Sequence, residues 1–150
     1  MAIRPMCHRD VIDVAFIEQA SSSPWPESLI AMELERPRGV QLVAVDDETV
    51  AGWCCAMTGQ ESELLKIAVR PSFRRRGTGA ALLSRLEDLC RDAGSEVMFL
   101  EVRSVNTIAL GLYEKLGYAR VGCRKKYYAD PQDDALILKK SLLKETNITK

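Results

Sequence analysis

The chain has 150 residues, 47% of them hydrophobic and 28% charged, which suits a folded domain with its own core. Lys plus Arg number 21 and so do Asp plus Glu, so no overall field draws the chain to nucleic acid or to a membrane surface. No apolar stretch approaches the length of a bilayer span, and Met1-Ala2-Ile3-Arg4-Pro5 has no apolar signal core, so one domain over 1–150 in the cytoplasm is the expectation.

In chain order, 3–5 reads as a short strand and 10–19 as a helix with Val11, Val14, Ala15 and Ile17 on its apolar face. Ser21 to Pro26 is a loop, and Pro26 suits the first turn of a second helix that ends near 35, before Pro37. The runs 41–45 and 50–57 read as a hairpin around Asp46-Asp47-Glu48, and 63–69 as a further strand. A long helix over 77–91 has Ala80, Leu83, Leu86, Leu89 and Cys90 as its buried stripe and stops at Gly94. A buried strand over 97–102, a helix over 106–116 and two closing strands over 118–127 and 135–142 complete the chain. The pattern predicts an α/β (α+β) fold: a mixed sheet of seven strands with four helices on its faces, with strands 63–69 and 97–102 parallel in a βαβ unit.

Between the strand at 63–69 and its following helix lies Arg74-Arg75-Arg76-Gly77-Thr78-Gly79. A helix start has free N–H groups and a positive dipole end, glycines let a phosphate approach them, and arginines add forked hydrogen bonds. The turn therefore reads as a pyrophosphate cradle. It is neither a complete Gly-x-Gly-x-x-Gly fingerprint nor a Gly-Lys-Ser/Thr phosphate loop, and a solvated basic turn and a nucleic-acid patch compete with it.

The five cysteines, Cys7, Cys54, Cys55, Cys90 and Cys123, match no zinc spacing and read as free, mostly buried thiols, with Cys54 and Cys55 on opposite sheet faces. His8 is the one histidine, and nothing else points to a His-based catalytic pair, so no metal is expected. Glu101 stands out in an apolar strand, sharing its face with Val97, Phe99 and Arg103, at the carboxyl end where open α/β sheets bind ligands. Partial burial there suits a general base; an ion pair with Arg103 is the structural alternative. Asn106 and Tyr113 are seven apart on one helix, close to two turns, and so face the same way. Taken singly, Asn106 is as well explained as a helix cap and Tyr113 as a core aromatic.

The segment from Ile67-Ala68-Val69 through Arg74-Arg75-Arg76-Gly77-Thr78-Gly79-Ala80 resembles the acetyl-CoA-binding motif of the GCN5-related N-acetyltransferases, whose Arg/Gln-x-x-Gly-x-Gly/Ala pattern is met by Arg74, Gly77 and Gly79. The run Asn106 to Tyr118 resembles the second signature of that superfamily. Within it, Leu100-Glu101-Val102-Arg103 and Lys126-Tyr127-Tyr128 are similar to the bacterial RimI-type ribosomal-protein-alanine N-acetyltransferases, and Pro24-Trp25 to the loop on their peptide side. Lys66 stands where that type commonly has asparagine, and Gly111 replaces a better helix former.

The resemblance implies acetyl-CoA as co-substrate, no metal and no covalent enzyme intermediate. It implies Glu101 as base, directly or through water, and Tyr113 as proton donor to the leaving thiolate. Backbone groups of Ile67, Ala68 and Val69 would hold the pantetheine arm, and Arg74, Arg75, Arg76, Gly77, Thr78, Gly79 and Ala80 the pyrophosphate. Asn106 would help fix the cofactor, and Trp25, Tyr127 and Tyr128 would line the acceptor side. The implied acceptor is a protein N-terminus, that of a small-subunit ribosomal protein, met by a monomer without direct contact to nucleic acid or membrane. An α-amine is roughly one-tenth neutral at pH 7 and suits a single glutamate base better than a lysine amine does. Asp130, Asp133 and Asp134 read as a solvated acidic loop, with attraction of a basic peptide as the functional alternative. The alternatives are acetylation of a small-molecule amine or a protein lysine, and a CoA-binding regulatory module, which would not need Glu101 together with Tyr113.

Overall fold

The structure, a computed structural model, describes residues 1–21, 23–129 and 131–143. Along the chain run β1 (Ala2–Pro5), α1 (Val11–Glu18), α2 (Glu27–Glu33), β2 (Gly39–Asp46), β3 (Thr49–Met57), β4 (Glu61–Val69), α3 (Thr78–Asp92), β5 (Val97–Arg103), α4 (Thr107–Lys115), β6 (Ala119–Ala129) and β7 (Gln132–Ser141). The seven strands form one sheet in the order β1-β2-β3-β4-β5-β7-β6, antiparallel except for β4 against β5. The expected mixed sheet and its parallel pair are therefore present. Pro26 differs from expectation by one position: it is the N-cap of α2, with extended ψ of 159°, and not its first helical residue.

Each face of the sheet carries its own core. One joins Leu42, Cys54, Leu64, Leu100 and Leu138 of the strands to Leu82, Leu83, Leu86 and Cys90 of α3 and to Tyr113 of α4. The other joins Val43, Trp53 and Cys55 to Val14 and Ile17 of α1 and to Ile30 of α2. Cys54 and Cys55 thus face opposite sides, and burial pushes both thiols far above their usual range, as expected of inert core residues. The buried stripe of α3 is rotated from the expected one: Leu82 is fully buried, while Ala80 and Leu89 are half-buried. The reason is Gly52 of β3, where a Cβ would stand 3.2 Å from Leu82 Cδ1 and 3.0 Å from the Ala68 carbonyl; its absence lets α3 settle onto β3 through Leu82. The β2–β3 turn has positive φ at Asp47 (48°) and Glu48 (66°), the geometry of a tight two-residue hairpin.

Two irregularities in β4 shape the ligand-facing end of the sheet. Its ladder with β3 pairs Cys55 with Lys66 and Ala56 with Leu64, leaving Leu65 as a bulge. Its parallel ladder with β5 covers only Glu61–Val97, Ser62–Met98 and Glu63–Phe99. Past the bulge β4 continues to Val69 against β3, while β5 pairs with β7 along its whole length, so β4 and β5 diverge. A bulge adds local twist and bends its strand, which is the physical cause of the divergence. Among the described residues no helix is long and apolar enough to cross a membrane.

The N-terminal segment is locked by one ion pair. Asp10 is buried, and Arg4 forks onto it with two hydrogen bonds of 2.8 Å, while the Cys7 N–H donates to it at 2.9 Å. The Arg4 bonds hold the Asp10 carboxyl down at about 2, against 3.8 when free. A depressed carboxylate stabilises the fold above its unfolded pKa and loses that contribution as pH falls through the folded one, so the loss runs from about pH 4 to pH 2 and amounts to roughly 2 kcal/mol. Thermal unfolding followed against pH should show the melting temperature falling over that window. Asp10→Asn should remove that part of the fall and cost about 2 kcal/mol at pH 7.

Candidate active site

The phosphate-type turn closes the end of β4. After Val69 comes a one-turn 3-10 helix, Pro71–Phe73, then Arg74 to Arg76, and α3 opens at Thr78 with Gly77 as its N-cap. No side chain caps α3, and its first internal bond is Ala81 N–H to the Gly77 carbonyl at 2.9 Å, so the earlier N–H groups stay free for a ligand. φ is +64° at Arg75 and +77° at Gly77, an alternation about Arg76 that turns successive N–H groups into one concavity, as anion-binding nests require. The glycines differ in their reasons. A Cβ on Gly77 would meet nothing within 4 Å, so its φ alone demands glycine; on Gly79 a Cβ would only touch Val69 Cγ2 at 3.7 Å and Leu112 Cδ2 at 3.9 Å. Arg74, Arg75 and Arg76 are exposed; Arg74 Nε reaches the Val69 carbonyl at 3.3 Å and Arg76 lies over the Phe73 ring at 5.0 Å.

Ile67, Ala68 and Val69 line the diverging edge of β4, half-buried, each paired on one side with β3. Their outer backbone groups face the opening that β5 vacates. Tyr113 of α4 lies in the core on the α3 side of the sheet, 7% exposed, edge-on to Tyr118 with ring centroids 5.9 Å apart. Burial pushes its phenol up to about 12, so it holds its proton throughout the neutral range. Among the described residues its hydroxyl takes no hydrogen bond, whereas the Tyr118 hydroxyl is tied to Glu87 at 2.8 Å. Asn106 does not share a helical face with Tyr113. It is the N-cap of α4, exposed, its side-chain oxygen accepting the Ala109 N–H at 3.2 Å, which leaves its amide NH2 free.

Glu101 projects from the opposite face of β5. Burial alternates along the strand, with Met98, Leu100 and Val102 inward to the α3 core and Glu101 beside Phe99 and Arg103 on the other side. Its side chain is 23% exposed and meets Arg124 Nε of β6 at 3.3 Å. The alternative reading, an ion pair with Arg103, is not formed among the described residues; that guanidinium lies over the Tyr128 ring at 4.1 Å. Tyr127 and Tyr128 stand edge to face with centroids 5.2 Å apart, and Arg124 lies over Tyr127 at 5.3 Å. Across from this hairpin stands Trp25, packed edge-on against Trp53 at 5.7 Å. The acceptor-side candidates Trp25, Tyr127 and Tyr128 are therefore found on the α1–α2 loop and the β6–β7 hairpin, the two segments flanking the Glu101 face.

The acidic loop has a structural task in the hairpin. Asp133 accepts hydrogen bonds from the Ser104 hydroxyl and from the N–H groups of Val105 and Asp134, and Asp134 accepts the Lys126 N–H at 2.8 Å with Lys125 Nζ at 3.4 Å. These bonds hold both carboxyls below their usual range. They pin the bulge that aims Tyr127 and Tyr128, where Lys126 takes a φ of 53°. Asp130 lies outside the described residues.

Among the buried charges that sequence reasoning missed, Glu18 bears on the candidate site. Glu18 of α1 is fully buried and accepts the Trp53 indole N–H at 3.0 Å and the Trp25 N–H at 2.9 Å, with Lys66 Nζ at 3.3 Å. Two signals point to it: Glu18 continues the stripe of Val11 and Val14 at helical spacing, and Lys66 is the lone charge in Leu64-Leu65-Lys66-Ile67-Ala68-Val69. His8 lies at the edge of the fold against Glu35 at 3.1 Å, and among the described residues no group of three His, Cys, Asp or Glu could hold a metal.

Residues 10–118 match the Acetyltransferase (GNAT) family. The chain belongs to that family. It is 36% identical over 124 residues to the [ribosomal protein bS18]-alanine N-acetyltransferase of Salmonella typhimurium, covering 81% of this chain and 83% of that one. It is 34% identical over 122 residues to the N-alpha-acetyltransferase RimI of Mycobacterium tuberculosis, covering 78% and 75%. Its fold matches the crystal structure of the ribosomal-protein-S18-alanine N-acetyltransferase of Escherichia coli with a TM-score of 0.88 at 29% identity, over 99% of this chain and 98% of that one. This chain is accordingly an N-acetyltransferase of the GNAT family, which uses acetyl-CoA; ribosomal alanine is the acceptor in the names of its relatives.

The two glycines of the turn make separate predictions. Gly77→Ala forces a Cβ into the left-handed region and should cost about 1–2 kcal/mol in chemical denaturation. Gly79→Ala lies in a helix with room for the methyl and should be neutral or stabilising by up to about 1 kcal/mol.

Proposed function

We propose that this chain transfers the acetyl group of acetyl-CoA to the α-amine of a protein N-terminus that begins with alanine, a small-subunit ribosomal protein of the bS18 kind being the acceptor. The observation that carries the reading is the opening between β4 and β5, with Glu101 on one face of β5 and the proton-bearing Tyr113 in the core on the other. A binding module has no use for that pair. The names of the relatives support the acceptor class.

The residues fit the co-substrate. The uncapped start of α3, with Gly77, Thr78, Gly79 and Ala80 and the arginines before it, suits a pyrophosphate. The open backbone edge of Ile67, Ala68 and Val69 suits an arm carrying amide groups, and the free NH2 of Asn106 can add one hydrogen bond. Bound there, acetyl-CoA supplies an activated acyl group, so the chain needs no covalent intermediate. Its own tasks are orientation, proton transfer and charge stabilisation. Glu101 takes the proton that the amine must lose, directly or through water; the base form is the charged one, and Arg124 faces it. Free N–H groups on the β4 edge meet the carbonyl oxygen as it gains negative charge. Tyr113 gives its proton to the departing thiolate. One domain over 1–150, working as a monomer in the cytoplasm, is sufficient for this chemistry.

Glu101→Gln should lower kcat by about 10²-fold or more while leaving acetyl-CoA binding nearly intact, and Tyr113→Phe should do likewise. Because the Tyr113 phenol is held near 12, its loss of a proton should not limit the rate below about pH 11. Wild-type turnover in Glu101→Gln would remove the base assignment. The acceptor class is decided by mass spectrometry of peptides beginning with alanine set against internal-lysine peptides and small amines. Acetylation confined to lysine or small amines would overturn the N-terminal reading.

A further inference from the structure

The loop Ser21–Pro26 and the β6–β7 hairpin flank the Glu101 face, and Arg103 touches both. Its Nη2 reaches Ser23 Oγ at 3.4 Å on the loop, its Nη1 donates to the Pro131 carbonyl at 3.1 Å on the hairpin, and its plane covers the Tyr128 ring at 4.1 Å. It stands two residues from Glu101 on the same face of β5. Between these contacts its Nε–H is buried with no acceptor among the described residues. A side chain free to choose would turn that donor to water or to a partner, since unmet buried donors are rare and costly. The two walls together hold this one in place.

The loop end of the contact is itself anchored. Lys66 Nζ donates to the Ser23 carbonyl at 2.8 Å and pairs with the buried Glu18, which also holds the Trp25 N–H. A polar path thus runs from β4 through Ser23 and Arg103 to Pro131 and Tyr128, across the mouth of the β4–β5 opening on the acceptor side. Lysine at 103 would be a flexible point charge unable to fork to two walls and stack on a ring at once.

We propose that Arg103 is a positioning residue: a strut that sets the width of the acceptor groove between the Trp25 loop and the Tyr128 hairpin, and so selects acceptors by the size of their first side chain. This rests on the α-amine reading above. Lys66 and Glu18 form the fixed footing of the loop wall, and Arg103 sets the distance to the other.

The test compares two tetrapeptides that differ only in beginning with alanine or leucine, using wild type, Arg103→Lys and Arg103→Ala. In Arg103→Ala the alanine-over-leucine ratio of kcat/KM should shrink by about tenfold, through the peptide KM, a size usual for hydrophobic side-chain discrimination. The acetyl-CoA KM should not change, and Arg103→Lys should fall between. Both peptides slowing together at an unchanged ratio would show a merely structural role and overturn the strut. If Arg103→Ala fails to fold, Ser23→Ala, which removes only one contact, should shift the ratio in the same direction, and an unchanged ratio there also overturns it. Wild-type protein that acetylates neither peptide counts against the α-amine reading, and the strut is then judged by hydrogen exchange over residues 19–26. Faster exchange in Arg103→Ala sustains it, and identical exchange overturns it.

Discussion

One unfinished ladder organises this protein. β4 and β5 pair for three residues each and then part, because Leu65 bulges out of register and bends β4 away. Open backbone edges inside a sheet are normally a liability, since N–H and C=O groups without partners cost free energy when shielded from water. Here the exposed edge is where an amide-bearing ligand can complete the pairing. The turn at the end of β4 then places a free helix terminus beside the same opening. In the proposed binding mode, the cofactor arm and its phosphates would find partners in consecutive stretches of one chain segment.

The same bulge decides where charge goes. Without it, side chains past Leu64 would alternate so that Lys66 faced the α3 core. With Leu65 out of register, Lys66 pairs with Cys55 and shares the face of α1 and α2, where Glu18 is buried. A buried carboxylate is tolerable only when its lone pairs are met, and three donors meet it. Two of these come from Trp25 and Lys66, so satisfying Glu18 also fixes the loop that forms one wall of the acceptor side. Packing, charge neutralisation and the placing of the Trp25 loop are served by the same atoms. Lys66 therefore has a structural task in this chain: it neutralises Glu18 and anchors the Ser23 carbonyl.

The two proposed proton carriers sit in contrasting surroundings. Tyr113 is buried in an apolar core that favours its neutral, proton-bearing form. Glu101 is partly exposed beside Arg124, on the face proposed to receive the amine. The sheet stands between them, so the two proposed groups would act from opposite faces on what occupies the opening. The acids of the β6–β7 loop act indirectly, holding the hairpin bulge that presents the tyrosine pair.

Local patterns in the sequence were enough for the elements and for where the candidate site residues lie on them. Alternation in Val97-Met98-Phe99-Leu100-Glu101-Val102-Arg103 placed Glu101 off the core, helical spacing buried Tyr113, and the arginine–glycine turn marked the start of α3, because each depends on residues close in the chain. Tertiary structure alone decided the partners. Glu101 faces Arg124 and not Arg103, Asn106 caps its own helix, and Asp133 and Asp134 turn inward. The Glu18–Lys66 pair joins residues 48 apart in sequence, and whether they meet depends on a one-residue slip in a β ladder. Periodicity says which face a side chain takes while the register holds; it does not say where the register breaks, and in this protein the break makes the opening.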